Sequence, residues 1–167
     1  MSEMRDAILD AAEERIRGAG YSGFSFREIA ADVGVKSSSV HYHFPTKEKL
    51  AAAVARRYTD RFLVGVDEKV QAGRDIVQAW RQVFRDALAR DGRMCLCGAM
   101  GATSRDLADE VRNEVKRFFN LGIQRLVEGG LRKDAAIQVL ATLEGAMLTA
   151  NILDDPAIFE SGTAALA

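Results

Sequence analysis

The sequence has few of the residues that interrupt helices or cross-link a chain. Its 167 residues include two prolines, two cysteines and one tryptophan. Two cysteines cannot build the disulfide framework of a small secreted domain, and so few prolines leave room for long helices. Alanine, leucine, arginine and glutamate are abundant, and 48% of the residues are hydrophobic, enough for a real core. This composition predicts an all-helical protein.

A strong net charge and long apolar runs are also missing. The formal net charge of −1 argues against a protein that coats nucleic acid without selectivity. Glu3, Arg5 and Asp6 interrupt any apolar run of the kind found in a signal peptide. The longest apolar stretch, about residues 137–153, contains Glu144 and is too polar for a membrane span. We therefore expect a cytoplasmic protein with no membrane partner.

The charge that is present is unevenly distributed. The segment from Lys36 to Arg57 contains five basic residues and one acidic residue, Glu48, so its formal charge is +4. The rest of the chain therefore carries a formal charge of −5. A local basic surface on a nearly neutral protein is typical of a site that contacts phosphates.

The segment Ser25–Leu50 carries the clearest local pattern. Ser25 is followed three residues later by Glu28, the spacing of a capping box that begins a helix. Ile29 and Val33 recur at helical spacing, and Gly34 follows at once, where a left-handed residue can end the helix. The pattern predicts a helix over 26–33 and then a tight turn.

A second short helix is predicted over 37–43, before Pro45. Val35 and Val40 can pack back onto the first helix, which leaves the other side chains of this segment free to form hydrogen bonds. Two short helices with a tight turn between them are the helix-turn-helix pattern, whose second helix fits a DNA major groove. The hydrogen-bonding side chains are Ser37, Ser38, Ser39, His41, Tyr42 and His43.

The spacing IA-x(3)-GV-x(4)-V-x-YHF-x(2)-KEKL, over Ile29–Leu50, resembles the DNA-binding signature of the tetracycline-repressor (TetR/AcrR) family of bacterial regulators. The resemblance covers about the first third of the chain. It implies an all-α fold in which an N-terminal three-helix bundle is joined by a long fourth helix to a C-terminal ligand-binding and dimerisation body. We therefore expect a DNA-binding domain over 1–46 and an effector-binding and dimerisation domain over 47–167, linked by helix four at about 47–70.

The resemblance also implies roles for single residues. Lys47 falls on the family's lysine at the start of the fourth helix and is the strongest candidate for a phosphate contact. Tyr42 lies near the family's phosphate-contacting aromatic, although His41 holds the usual tyrosine position. The sequence departs from the family in helix three, so the operator cannot be deduced. The candidate DNA-binding residues are Ser25, Lys36, Ser37, Ser38, Ser39, His41, Tyr42, His43 and Lys47.

A metal site at His41 and His43 is rejected, because side chains two apart on a helix point to nearly opposite sides. The sequence likewise offers no nucleophile–base set and no phosphate-cradling glycine loop. We expect neither a cofactor nor an enzyme.

The resemblance further implies an effector cavity and a homodimer. The candidate cavity residues are Trp80, Phe84, Leu96, Met100, Phe118 and Met147, each of which would serve equally well as plain core. The stretch GAMLTANILDDPAIF resembles the family's C-terminal dimerisation pair, and the candidate dimerisation residues in it and just before it are Ala141, Gly145, Leu148, Ile152, Ile158 and Phe159. A twofold dimer would bind palindromic double-stranded DNA.

Cys95 and Cys97 allow two interpretations. As small apolar side chains beside Gly98 and Gly101 they would fill tight packing. As sensor thiols, with Arg93 and a helix N-terminus nearby to favour the thiolate, they would react with oxidants or electrophiles. The sequence therefore predicts a transcriptional regulator, a repressor controlled by a small-molecule effector. The alternatives are a redox- or electrophile-sensing repressor acting through these cysteines and a helical interaction adaptor that does not bind DNA.

Overall fold

The computed structural model describes residues 3–103 and 105–166, and within these ranges all regular structure is helical. This confirms the predicted all-α fold. The elements, in chain order, are α1 (Glu3–Ala19), a 3₁₀ turn (Tyr21–Gly23), α2 (Phe26–Val33), α3 (Ser37–His43), α4 (Lys47–Gln71), α5 (Ile76–Asp91), α6 (Leu96–Gly101), α7 (Asp109–Glu128), α8 (Lys133–Ile152) and α9 (Ala157–Thr163).

The helix bounds follow the sequence signals closely. Helices α2 and α3 begin and end where periodicity and caps predicted, and α4 ends one residue later than expected. Thr46 caps α4 through its Oγ1, which accepts from the backbone N–H of Lys49 at 3.2 Å. At 1.5 Å per residue, the 25 residues of α4 span about 37 Å.

The chain forms two compact units. The first unit combines the chain up to Tyr58 with Leu96–Lys116, and the second combines Thr59–Cys95 with the chain from Arg117 onward. Helices α4 and α7 therefore each contribute to both units. The expected division at residue 46 is a functional one and remains a prediction.

In the first unit, α1 packs against α2, the 3₁₀ turn and α6, while α2 packs against α3. At the end of α1 Ala19 is exposed, while Leu9 of the same helix is buried. The apolar side chains buried in this unit include Ile8, Leu9, Ala12, Ile16, Phe24, Ile29, Val40, Phe44, Leu50, Ala51 and Val54. This core supports the turn between α2 and α3.

In the second unit, α8 packs against α9 and α5. Its largest side chains form an aromatic cluster of Phe62, Trp80, Phe84 and Phe118, with ring centroids 5.2 to 6.5 Å apart. Such tilted and edge-to-face pairs stabilise a core beyond the area they bury. The cluster anchors α5 and α7 to the C-terminal part of α4.

Helix α8 is long and apolar. By length and composition alone it would qualify as a membrane span, with a mean hydropathy of 1.3, although Glu144 was expected to make it too polar. A core helix of a globular protein meets the same criterion, and Leu140, Leu143 and Met147 are buried in the second unit. This packing explains the inward apolar face of α8, while Ile137, Leu148 and Ile152 remain exposed on its outer face.

Candidate nucleic-acid interface

The turn between α2 and α3 has the geometry that its sequence predicts. Ser25 caps α2, accepting from the N–H of Glu28 at 3.3 Å and donating its hydroxyl to the Glu28 carboxylate at 2.9 Å. Gly34 ends α2 with φ 77°, and its N–H donates to the carbonyls of Ala30 and Ala31. Only glycine adopts this conformation without strain. The direction of α3 is thereby set by the backbone of Gly34.

Helix α3 buries one side chain and exposes most of the others. Val40 is fully buried, whereas Tyr42 is 85% exposed. Lys36, Ser38 and His41 are exposed. Ser37, Ser39 and His43 are half-buried on the same short helix. The structure thus brings the predicted contact residues of α3 together on one accessible surface.

Two aromatic contacts orient this surface. The His41 ring packs against Phe26, with centroids 4.5 Å apart and planes at 65°, and the Tyr42 ring meets His43 edge to face at 5.2 Å. Phe26, which the sequence did not single out, positions an exposed side chain of α3. The sequence signal for this role is its position as the first residue of α2.

The Lys47 side chain packs against two aromatic rings and does not extend into solvent. Its Nζ sits 4.8 Å from the ring centre of Tyr21 and 4.5 Å from that of Phe24, a cation–π arrangement. Burial lowers the pKa of Lys47, and the nearby Glu48 and Glu28 partly oppose that effect. The contact between Lys47 and a DNA phosphate remains a prediction. In this structure the ammonium group that would make it is held against the three-helix core.

The local charge of +4 is largely neutralised within the first unit. Lys49 pairs with Glu110 at 3.3 Å and Arg56 with Glu114 at 2.5 Å. Arg57 pairs with Asp10 at 2.7 Å and also reaches Glu13. The basic count of residues 36–57 therefore overstates the positive charge offered to a partner. Lys36 is exposed, and so is Arg27 of α2, a cation that the sequence analysis did not include.

Another group of ion pairs joins α1 and α2. Arg15 donates to Asp32 at 2.5 and 2.9 Å and to Glu28 at 3.2 Å. The hydrogen bond from Arg15 lowers the pKa of Asp32. Because these groups are exposed, their contribution is to orientation more than to stability.

The six candidate cavity residues are all fully buried. Trp80, Phe84, Phe118 and Met147 belong to the second unit, and Leu96 and Met100 to the first. A pocket at the end of α8 is lined by other residues: Leu88, Gly92, Ala150, Asn151, Asp154, Asp155 and Pro156. The effector role of the six residues stays a prediction.

Neither cysteine forms a disulfide within the described residues, and both are fully buried. Helix α6 begins at Leu96, so its N-terminus is adjacent to Cys95, as the sensor hypothesis expected. The N–H of Cys95 donates to the sulfur of Met147 at 3.1 Å. Zero exposure favours the packing interpretation, because a reactive thiol needs access.

The candidate dimerisation residues divide into two groups. Ala141, Gly145, Leu148 and Ile152 lie exposed on α8, with Leu148 46% and Ile152 66% exposed. Ile158 is half-buried. Phe159 is fully buried and is corrected from an interface residue to a core residue, since α9 turns its ring inward beneath α8.

A sharp glycine turn followed by an exposed hydrogen-bonding helix defines a helix-turn-helix protein. Comparison with known proteins specifies it further. Residues 8–54 match the family model of bacterial regulatory proteins of the tetR family. A TetR transcriptional regulator from Legionella pneumophila has a TM-score of 0.86 at 28% identity, over 97% of this chain and 94% of that one.

Two relatives extend the similarity. An uncharacterized HTH-type transcriptional regulator of Xanthobacter autotrophicus is 33% identical over 85 residues, 50% of this chain and 42% of that protein. RutR, an HTH-type transcriptional regulator of Escherichia coli, is 28% identical over 126 residues, 72% of this chain and 58% of that protein. The chain spans about half the length of these relatives. Residues 8–54 therefore form a helix-turn-helix domain of the tetR type, and the described residues share the fold of TetR-family regulators.

Proposed function

We propose that this protein is a sequence-specific DNA-binding transcriptional regulator, a cytoplasmic repressor that binds a palindromic operator as a homodimer and responds to a small molecule. The observation that carries the proposal is the α3 surface, where Tyr42, Ser38 and His41 are exposed while Val40 is fully buried. Small and planar hydrogen-bonding side chains on an exposed helix suit base edges and phosphates.

The modest charge of this surface favours base contacts over a general attraction to DNA. Three of the five basic residues between 36 and 57 are already held in ion pairs. We therefore expect binding that is selective for sequence and only moderately steep in its dependence on salt.

The homodimer is supported by the outer face of α8. Ile137, Ala141, Gly145, Leu148 and Ile152 follow one another at intervals of three or four residues, and all are exposed. An apolar stripe on an otherwise packed helix is typical of an interface. Small residues at its centre would let a twofold mate approach closely, and the pair would present two α3 helices to successive turns of DNA.

The test is a gel shift with the DNA beside the protein's own gene, in the presence of excess unrelated DNA. We expect a salt-sensitive, sequence-selective complex whose mobility corresponds to two chains. An exposed lysine, Lys36, should contribute one phosphate contact, so the Lys36→Ala variant should lower the slope of log affinity against log salt by about 0.9. Absence of any selective shift would leave the interaction adaptor as the better account.

A further inference from the structure

Side chains from two helices meet at one edge of the α3 surface. Phe26 is the first residue of α2, and His41 lies in the last turn of α3. Their ring centroids are 4.5 Å apart, with the planes at 65°. An edge-to-face arrangement of this kind is one that aromatic rings prefer. Because the rings belong to different helices, the direction of the His41 imidazole depends on the packing of α2 as well as on α3.

The backbone that carries Phe26 is held by side chains on both sides. The Ser25 hydroxyl accepts from the N–H of Glu28 at 3.3 Å and donates to the Glu28 carboxylate at 2.9 Å. Arg15 of α1 donates to the same carboxylate at 3.2 Å and to that of Asp32 at 2.9 Å. A capping box of this kind fixes the first turn of a helix. The Phe26 ring therefore projects from a backbone with little freedom.

The backbone that carries His41 is anchored as well. Val40, the preceding residue, is fully buried. In the turn before α3, the N–H of Val35 donates to the carbonyl of Ala30 at 2.9 Å. The freedom that remains to His41 is rotation of its side chain among a few staggered positions. Contact with the Phe26 ring restricts that rotation.

Tyr42, the neighbouring ring of α3, provides a contrast. It is 85% exposed, and its ring contacts that of His43 on the same helix, with centroids 5.2 Å apart. That contact does not reach α2. His41 is also exposed, yet its ring is held from a second helix. The direction of the His41 imidazole is therefore determined before any partner arrives.

The Phe26 side chain has no oxygen or nitrogen, so it restrains the imidazole and leaves its N–H groups for a partner. Imidazole has at least one N–H donor in both of its protonation states. In the major groove, guanine presents two neighbouring acceptors, N7 and O6, whereas adenine presents one acceptor beside a donor. An N–H donor therefore fits guanine at either atom and adenine at one. A ring that is already restrained loses less freedom on binding.

We propose that Phe26 is a positioning residue for DNA recognition, and that it holds the His41 imidazole so that an N–H donates to N7 or O6 of one guanine in each half of the operator. The inference rests on the proposed function and deepens it, since it assigns the base that His41 reads. Phe26 acts through His41 and makes no base contact of its own.

Selection from a library of random double-stranded DNA gives the base preference of each variant. The wild type should enrich a motif with a guanine in each half, and His41→Ala should lose the preference at that position. Phe26→Leu should weaken the same preference and lower affinity for the wild-type motif about three- to tenfold, the effect of freeing one ordered side chain. Phe26→Tyr, which keeps the ring, should restore both. Phe26→Met is a second ring deletion, and thermal melting shows which variants are folded.

A double-mutant cycle separates positioning from a purely structural role. In a His41→Ala background, Phe26→Leu should cause no further loss of affinity. The chain has two histidines, so NMR signals of the ring protons give a second readout. Phe26→Leu should move the His41 signals and leave those of His43 in place. The matched control is Phe119→Leu, the same change at a half-buried phenylalanine of the second unit, which should alter neither the motif nor the histidine signals.

The outcomes distinguish this inference from the proposed function. An unchanged motif for Phe26→Leu and Phe26→Met, a full further loss of affinity in the His41→Ala background, or unmoved His41 signals would each overturn the inference alone. So would a motif in which no guanine depends on His41. A wild-type protein that enriches no sequence would refute the proposed function, and with it the role of Phe26.

Discussion

The two units differ in how they hold their shielded carboxylates. In the first unit, Arg15, Arg56 and Arg57 each hold at least one carboxylate, and the unit keeps its exposed hydrogen-bonding side chains on α3. In the second unit, Glu160 pairs with Arg81 and Arg85, whereas the solvent-shielded carboxylate of Glu144 faces the Cys95 thiol. Burial disfavours the charged form of Glu144 and raises its pKa to about 7. Ion pairs therefore fix the charges of the first unit, whereas the charge of Glu144 depends on pH.

The largest effect is expected from a substitution in the core of the second unit. Phe118 is fully buried in the aromatic cluster, while its neighbour Phe119 is half-buried. Phe118→Ala should lower the free energy of unfolding by about 3–5 kcal/mol, since it leaves a cavity. Phe119→Ala is the matched control and should cost clearly less. Chemical denaturation measures both, and equal losses would contradict the role given to the cluster.

The next prediction concerns pH. Because the pKa of Glu144 is about 7 in the folded protein and 4.5 in the unfolded chain, the folded state holds the extra proton between these values. The contribution of this proton to the free energy of unfolding is complete below pH 4.5 and is lost as the pH rises to 7. The loss amounts to about 3 kcal/mol.

Glu144→Gln should remove this slope and be the more stable protein at pH 8. Denaturation curves from pH 5 to pH 8 measure it, with Glu68→Gln, a change of an exposed glutamate on α4, as the control. Parallel curves for the wild type and Glu144→Gln would show that the carboxylate is solvated.

A smaller effect is expected from a substitution on the exposed α3 surface of the first unit. Tyr42→Ala removes an exposed side chain, so the free energy of unfolding should change by less than about 0.5 kcal/mol. Operator affinity should fall about tenfold, in line with the loss of one good base or phosphate contact. Gel-shift titration and thermal melting separate the two quantities. A large loss of stability with unchanged affinity would assign Tyr42 to folding.

The smallest expected effect lies on the outer face of α8. A β-carbon added at Gly145 meets nothing within 4 Å, whereas one at Gly162 would stand 3.2 Å from the Ala146 β-carbon. Gly145→Ala should therefore stabilise the isolated chain by about 0.5–1 kcal/mol through helix propensity. In a dimer packed through Gly145 the same change should weaken association, which sedimentation at several concentrations would detect. Stabilisation with undiminished dimerisation would place the interface elsewhere.

Local signals predicted most of the fold. The capping serine at 25, the glycine at 34 and the apolar spacing between them determine α2 and the turn, because each acts on neighbouring residues. The exposed surface of α3 followed from Val40 alone, which had to point inward. Helix bounds elsewhere needed only periodicity and a nearby glycine or proline.

Features that depend on distant residues were missed. Lys49 and Arg56 looked available for phosphates until Glu110 and Glu114, some sixty residues later, were found to pair with them. Lys47 resembled a solvent-facing lysine, but the rings of Tyr21 and Phe24 hold it. Phe159 matched an interface pattern and proved to be core. No spacing rule along the chain reports such contacts.

The sequence by itself determined the all-helical fold and the helix-turn-helix with its resemblance to the tetR family, because caps, turns and amphipathic periods act within a few residues. Only the tertiary structure decided which charges are held in ion pairs, and that the carboxylate of Glu144 is shielded from solvent beside the Cys95 thiol. Burial and pairing are properties of residues brought together from far apart, and these properties distinguish the contact surface of the first unit from the interior of the second.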